Sequence, residues 1–254
     1  MLRLKSEKDI AGIRESCVLL SRLLKEVAAI ARGGVTTKDI DGFIRARCRE
    51  TKAKPAFLGY KGFPAAICTS PNDTVIHGIP NKRKLREGDI LSLDCGLDYE
   101  GFFSDAAITL PVGRITPEAQ LLLRVTRECL DKAVEKAVCG NRVSDISRAV
   151  YEHASSHNFG VVREYSGHGV GFSPHEEPQI PNYLCPGPNP RLKAGMVLAL
   201  EPMITAGGGE IELLDDDWTV VTADGKFSAH FEHTVAIFSD HTEVLTRWQE
   251  DTHT

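Results

Sequence analysis

No apolar run in this 254-residue chain approaches the roughly 18 residues needed to cross a bilayer. The opening MLRLKSEKDI is too polar and too mixed in charge for a secretory signal. Those two absences point to the cytoplasm. The seven cysteines are odd in number and form no C-x-x-C pair, which excludes both a disulfide framework and a zinc ribbon. Charge of one sign is also scarce. A net −5 and a pI near 6.0 give no electrostatic hold on DNA or an anionic membrane. Aromatics make up only 7%, and no stretch rich in Pro, Ser or Gly divides the chain. With 42% hydrophobic residues, the sequence reads as one soluble domain with a sizeable core, spanning 1–254.

What is present is organised twice over. Ser6-x-x-Asp9 is a helix start, followed by apolar residues at helical spacing: Ile10, Ile13, Cys17, Leu20, Leu24 and Val27. Gly33-Gly34 stops that helix, and a second follows with Ile40, Phe43 and Ile44 on one face. The runs AAICTS, TVIH and DILSLDC are strand-like. Thr116-Pro117 opens a third helix, with proline at its favoured first position, and Gly140 ends it. A fourth runs over about 144–157, and VVREY reads as a strand. GGVTTKDI (33–40) matches CGNRVSDI (139–146) at an offset of 106, and EGDILSLD matches KAGMVLALE at 107. FFSDAAITL matches HFEHTVAI at an offset near 127. Three matches in order predict two related α+β halves, about 1–115 and 116–254. The extra segment TAGGGEIELLDDDWTVVTADG reads as an added hairpin in the second.

The same alignment sets Asp94 against Glu201 and Asp105 against Glu232. All four acids lie in apolar, strand-like runs, where a carboxylate is costly to bury without a partner. Few basic residues lie near them in sequence, and a pair of divalent cations would neutralise them. His168, in SGHGVGFSPHEEPQ, adds a nitrogen donor on what reads as a glycine turn. An oxygen-rich set with one nitrogen and no sulfur suits Mn, Fe(II), Co or Zn. Two such ions bridged by carboxylates can activate a water and polarise a carbonyl.

The ordered set NDTVIHGIP, LSLDCG, GFFSD, GHGVG…HEEPQ, LALEPM and FEHT resembles the methionine aminopeptidase family, over nearly the whole chain. Short spacings, 63 residues from Asp105 to His168 and 31 from Glu201 to Glu232, resemble its type I, bacterial-like short form. The resemblance implies an α+β pita-bread fold, with two pseudo-symmetric halves around a dinuclear metal site. It implies a metal-dependent hydrolase that removes the initiator methionine from nascent polypeptides, at the ribosome, as a monomer, with preference for a small second residue. The Met1-Leu2 start would on that preference be retained.

By the same resemblance Asp94 holds one metal, Glu201 and His168 the other, and Asp105 and Glu232 bridge. Glu201 also shuttles the proton. His77 and His175 contact the scissile amide and the developing oxyanion. Phe57, Tyr60, Phe63, Cys68 and Trp218 form the methionine pocket. Asn72 and Ser228 match a monovalent-cation site. Pro174 departs from the family's bulky apolar residue before the second histidine, and Glu176 and Glu177 read as loop or supporting groups. Two rivals share the fold: an Xaa-Pro aminopeptidase or prolidase, which carries an additional N-terminal domain, and a non-catalytic binding module, which has lost metal ligands.

Overall fold

A computed structural model describes residues 2–247. Met1, and the last seven residues of the expected second half, lie outside the described residues. Helix α1 (Glu7–Ile30) begins where Ser6 and Asp9 predict. The Asp9 amide donates to the Ser6 hydroxyl, and the Ser6 amide donates to the Asp9 carboxylate at 2.9 Å. Its buried face carries the periodic residues named above. After α2 (Thr37–Thr51) come β1 (Lys54–Pro55), a 3-10 turn (Tyr60–Gly62), β2 (Cys68–Pro71), β3 (Thr74–Ile76), β4 (Ile90–Tyr99) and β5 (Phe102–Pro111). The second half runs α3 (Pro117–Lys136), α4 (Val143–Ser156), β6 (Gly160–Val161), β7 (Ser166–Gly169), β8 (Glu176–Pro181), β9 (Val197–Leu200) and β10 (Met203–Thr205). It ends with β11 (Ile211–Leu213), β12 (Val220–Thr222), β13 (Ser228–His230), β14 (His233–Ile237) and β15 (Thr242–Val244).

Three local expectations shift. Helix α1 stops at Ile30, before the glycine pair, and α3 stops at Lys136, with Gly140 turning the following loop at φ +94°. The VVREY strand is only Gly160–Val161, because after the Val162 amide bonds the Met203 carbonyl the chain leaves the sheet edge. The added hairpin is β11–β12, and β12 also pairs with β3, tying the second half to the first.

The two halves repeat one pattern of strand pairing. In the first, β4 pairs β5 as Ser92–Thr109 and Leu93–Ile108; in the second, β9 pairs β14 as Ala199–Thr234 and Leu200–His233. The inner strands differ by 107, as expected, and the outer strands by 125. Two residues is the strand period, so the sequence alignment near 127 kept the correct face and slipped the register. Ala107, not Asp105, is therefore the mate of Glu232, and the mate of Asp105 is His230. Matching loops close identically: the Gly34 amide bonds the Leu85 carbonyl at 2.8 Å, and Gly140 bonds Leu192 at 2.9 Å.

The halves are stitched where β5 meets β13 and β14. The Glu232 amide donates to the Ala107 carbonyl at 2.8 Å. Thr109 Oγ1 donates to the His230 carbonyl at 2.8 Å and accepts from the His230 amide at 2.9 Å. Thr234 Oγ1 does the same for Asp105, at 2.7 and 3.2 Å. One hydrophobic cluster runs through both halves, from Leu24, Ile67 and Leu93 to Leu130, Val150 and Phe231. Each fully buried side chain of this size contributes about 1.5–3 kcal/mol. Helix α1 lies on β4 and β5, while α3 backs β9, β10 and β13.

Candidate active site

Five segments deliver the acids and His168 to one place. Asp94 and Asp105 stand on neighbouring strands, opposite Ala107 and Gly96, so both project from the same face of the β4–β5 hairpin. Glu201 directly follows β9, and Glu232 lies in the break between β13 and β14. His168 is on a strand rather than a turn, opposite Ala199 in the β7–β9 ladder. Its flanking glycines are there for close approach. A Cβ on Gly167 would stand 2.5 Å from the Ala199 carbonyl oxygen, and one on Gly169 2.4 Å from that of Glu177.

The His168 Nδ1–H donates to the Gly169 carbonyl at 2.9 Å, which leaves the Nε2 lone pair facing the carboxylates. Nε2 is 3.4 Å from Glu201 Oε1 and 3.9 Å from Asp105 Oδ2. One donor atom each from Asp105, His168 and Glu232 lies within 4.8 Å of the others. Asp105 Oδ1, Asp94 Oδ1 and Glu232 Oε1 are buried with no hydrogen-bond partner among the described residues. Burial pushes the Asp94 carboxyl up to about 7 and Glu201 up to about 8, and holds Asp105 and Glu232 well above the usual range. Burial likewise drives His168 down to about 3, so its imidazole is neutral. Four crowded acids, three of them with an orphaned oxygen, beside a neutral imidazole form a donor set that could hold divalent cations. Burial pushes the thiol of Cys68, in the wall of the same site, well up. A separate group on α3 and α4, Glu128, His153 and His157, lies outside this cavity.

A cavity enclosing about 630 Å³, its open mouth included, sits over this cluster. Its walls contain every expected pocket residue: Phe57, Tyr60, Phe63, Cys68 and Trp218, with His77 and His175. Phe63 meets the Trp218 ring edge-on, with centroids 5.1 Å apart. The β3–β12 pairing brings His77 and Trp218 together at 6.1 Å. His77 sits at φ +57°, a strained conformation for a non-glycine residue, and its ring stands edge-on to Tyr165 at 5.4 Å. Burial lowers its pKa to about 4. His175, exposed at the mouth, stacks on Tyr60 at 5.3 Å and lies 4.2 Å from the His168 ring.

Glu176 is no mere loop group. Its side chain, 5% exposed, forms an ion pair at 2.8 Å with Lys5, 2% exposed. Its other oxygen accepts from the Phe172 and Ser173 amides at 2.7 and 3.1 Å, fixing the loop that carries Pro174 and His175. Asn72 and Ser228 adjoin, with the Ser228 amide on the Asn72 carbonyl at 2.7 Å, but they do not line the cavity. Sequence reasoning missed Lys61 at the mouth, Tyr165 behind His77, and His230. For His230 a signal existed: it lies two residues before Glu232, the strand period for one face of an extended run.

A neutral imidazole among buried, metal-ready carboxylates below an apolar pocket defines a metal-dependent peptidase of the pita-bread type. Residues 11–238 match Metallopeptidase family M24. The chain is 50% identical to a methionine aminopeptidase of Treponema pallidum over 97% of its length and 96% of the relative's. It is 47% identical to one from Clostridium acetobutylicum, covering 97% and 99%. The crystal structure of methionine aminopeptidase from Thermotoga maritima superimposes with a TM-score of 0.94 at 41% identity, over 97% of this chain and 100% of that one. This chain belongs to the M24 metallopeptidases, and within them to the methionine aminopeptidases. A prolidase from Pyrococcus furiosus shares the fold alone, with a TM-score of 0.80 at 21% identity; the chain spans 65% of it. No helix among the described residues is long and apolar enough to cross a membrane.

Proposed function

We propose that this enzyme hydrolyses the first peptide bond of polypeptides that begin with methionine, and that Asp94, Asp105, His168, Glu201 and Glu232 hold two divalent metal ions for that purpose. The observation that carries the reading is the set of unpartnered, buried carboxylate oxygens at the floor of an aromatic cavity. When bound, such ions supply Lewis acidity to the carbonyl and a water acidified to near neutral pH. The ions are Co, Mn, Fe(II) or Zn, all of which accept this donor set. Asp94 would hold one ion and Glu201 with His168 the other, with Asp105 from the first half and Glu232 from the second shared between them.

The chain's own residues do the rest. Glu201, at the floor of the cavity, accepts a proton from the attacking water and returns it to the leaving amine. His77 and His175 flank the mouth of the metal cluster and hydrogen-bond the scissile amide and the developing oxyanion, a ring N–H donating to the carbonyl oxygen and a ring nitrogen accepting from the amide N–H. The Phe57, Phe63, Cys68 and Trp218 cluster takes the methionine side chain, whose unbranched thioether gains from aromatic edges. Substrates are nascent-chain N-termini in the cytoplasm, met at the ribosome by a monomer of two halves, 1–115 and 116–254. Cosedimentation with ribosomes tests that contact. A monovalent cation on the carbonyls around Asn72 and Ser228 is a separate proposal, read by potassium dependence of the melting temperature.

The deciding assay sets Met-Ala-X against X-Pro peptides with added Mn²⁺ or Co²⁺. Release of methionine alone is expected. Cleavage of X-Pro substrates at comparable rate overturns the reading in favour of a prolidase, and no hydrolysis of either in favour of a binding module.

A further inference from the structure

The register of the two halves makes His230 the mate of Asp105. Each has its backbone amide and carbonyl gripped by one threonine of the opposite half, Thr109 for His230 and Thr234 for Asp105. The fold therefore presents two side chains to the cluster from equivalent positions. One is a proposed metal-bridging carboxylate, the other an imidazole with no assigned role. His230 is 1% exposed, and both its ring nitrogens are buried without a partner among the described residues. Leaving two such nitrogens unpaired is costly, and a core position with no other duty would hold an apolar side chain. The ring is aimed at the site: Nε2 lies 3.6 Å from Glu201 Oε2, while His168 Nε2 lies 3.4 Å from Glu201 Oε1. Glu201 thus stands between two imidazoles, one facing each oxygen.

We propose that His230 is a positioning residue for Glu201. Its Nε2–H takes Oε2 in a hydrogen bond that tightens when the site is loaded, so that Oε1 alone is presented to the ion shared with His168. The carboxylate is then held in one orientation, the state in which it can ligate a metal and pass a proton. Partners that orient a metal's ligands in this way are worth roughly 10–100-fold in metal affinity. The inference rests on the proposed metal assignment and deepens it.

The test compares His230→Gln, whose amide can donate to Oε2, with His230→Leu, which fills similar volume without a donor. Mn²⁺ affinity is measured by calorimetry, the visible spectrum of the Co²⁺ form is recorded, and kcat and KM are determined separately. The Leu variant is expected to lose about 10–100-fold in the affinity of one ion, to alter the Co²⁺ bands, and to lose kcat with little change in KM. The Gln variant is expected to recover most of each. Equal affinity, spectrum and kcat in Leu and wild type overturn the assignment, as do equal losses in Leu and Gln. If the Leu variant does not fold, His230→Asn, with an amide one methylene shorter, replaces it under the same criteria. A wild type that binds no Mn²⁺ overturns the metal assignment itself, and this inference with it.

Discussion

Replacing Lys5 by Met should disturb an active site that Lys5 does not line. The ammonium is buried against Glu176, and its neighbour Phe172 is covered by the Lys5 and Arg3 cations at 5.5 and 4.4 Å from the ring. Removing one partner of a buried pair typically costs about 3–5 kcal/mol, because the other charge stays behind. Here Glu176 would keep its two amide donors, so the lower end, about 3 kcal/mol, applies. For a chain of this size that lowers the melting temperature by roughly 6–12 °C. The loop so released carries His175, and a misplacement of about 1 Å can cost on the order of 10²-fold in rate. A fall in kcat of about 10- to 100-fold is expected, with the metal content unchanged. Thermal denaturation, steady-state kinetics and metal analysis of Lys5→Met, Glu176→Gln and the double variant measure all three, and the double variant should cost less than the sum of the singles. A Lys5→Met protein with wild-type melting temperature and kcat would refute the reasoning.

Asp105→Ala or Glu232→Ala should abolish metal-dependent turnover, and full activity of either metal-replete variant would exclude the bridging assignment. His77→Ala should lower kcat by roughly 10²–10³-fold with metal affinity retained, as for loss of one oxyanion-type donor; calorimetry showing the reverse would move His77 to the metal. Because burial depresses the His77 pKa from 6.5 to about 4, the unfolded chain binds the extra proton first as pH falls. Its contribution to stability is therefore present above pH 6.5 and lost by pH 4, about 3 kcal/mol in all. His77→Phe should flatten the acid limb of denaturant-measured stability by that amount, and an unchanged limb would show that the ring is not buried. Trp218→Ala should reduce the preference for methionine over leucine or norleucine by about 1–3 kcal/mol in kcat/KM ratios. An unaltered ratio would take Trp218 out of the pocket.

The sequence by itself determined the helices, the chemistry and the plan of two halves. Capping residues and the 3.6 period act over a few positions, so α1 appears where Ser6, Asp9 and Ile10 to Val27 require it. Acids in apolar strands announce a compensating charge wherever they end up, which is why Asp94, Asp105, Glu201 and Glu232 were legible before any contact was known. The sequence could not set the register between the halves. A slip of two residues leaves every side chain on its face, so Asp105 could be matched with Glu232 at no visible cost. The β4–β5 and β9–β14 registers, with the Thr109 and Thr234 hydrogen bonds that close across 121 and 129 residues, decide that Asp105 is mated with His230. Lys5 and Glu176 are likewise ordinary surface-type residues in the sequence. They lie 171 positions apart in the chain; folding brings them into one buried pair, and burial, a property of the assembled core, turns them from solvated charges into the support of His175.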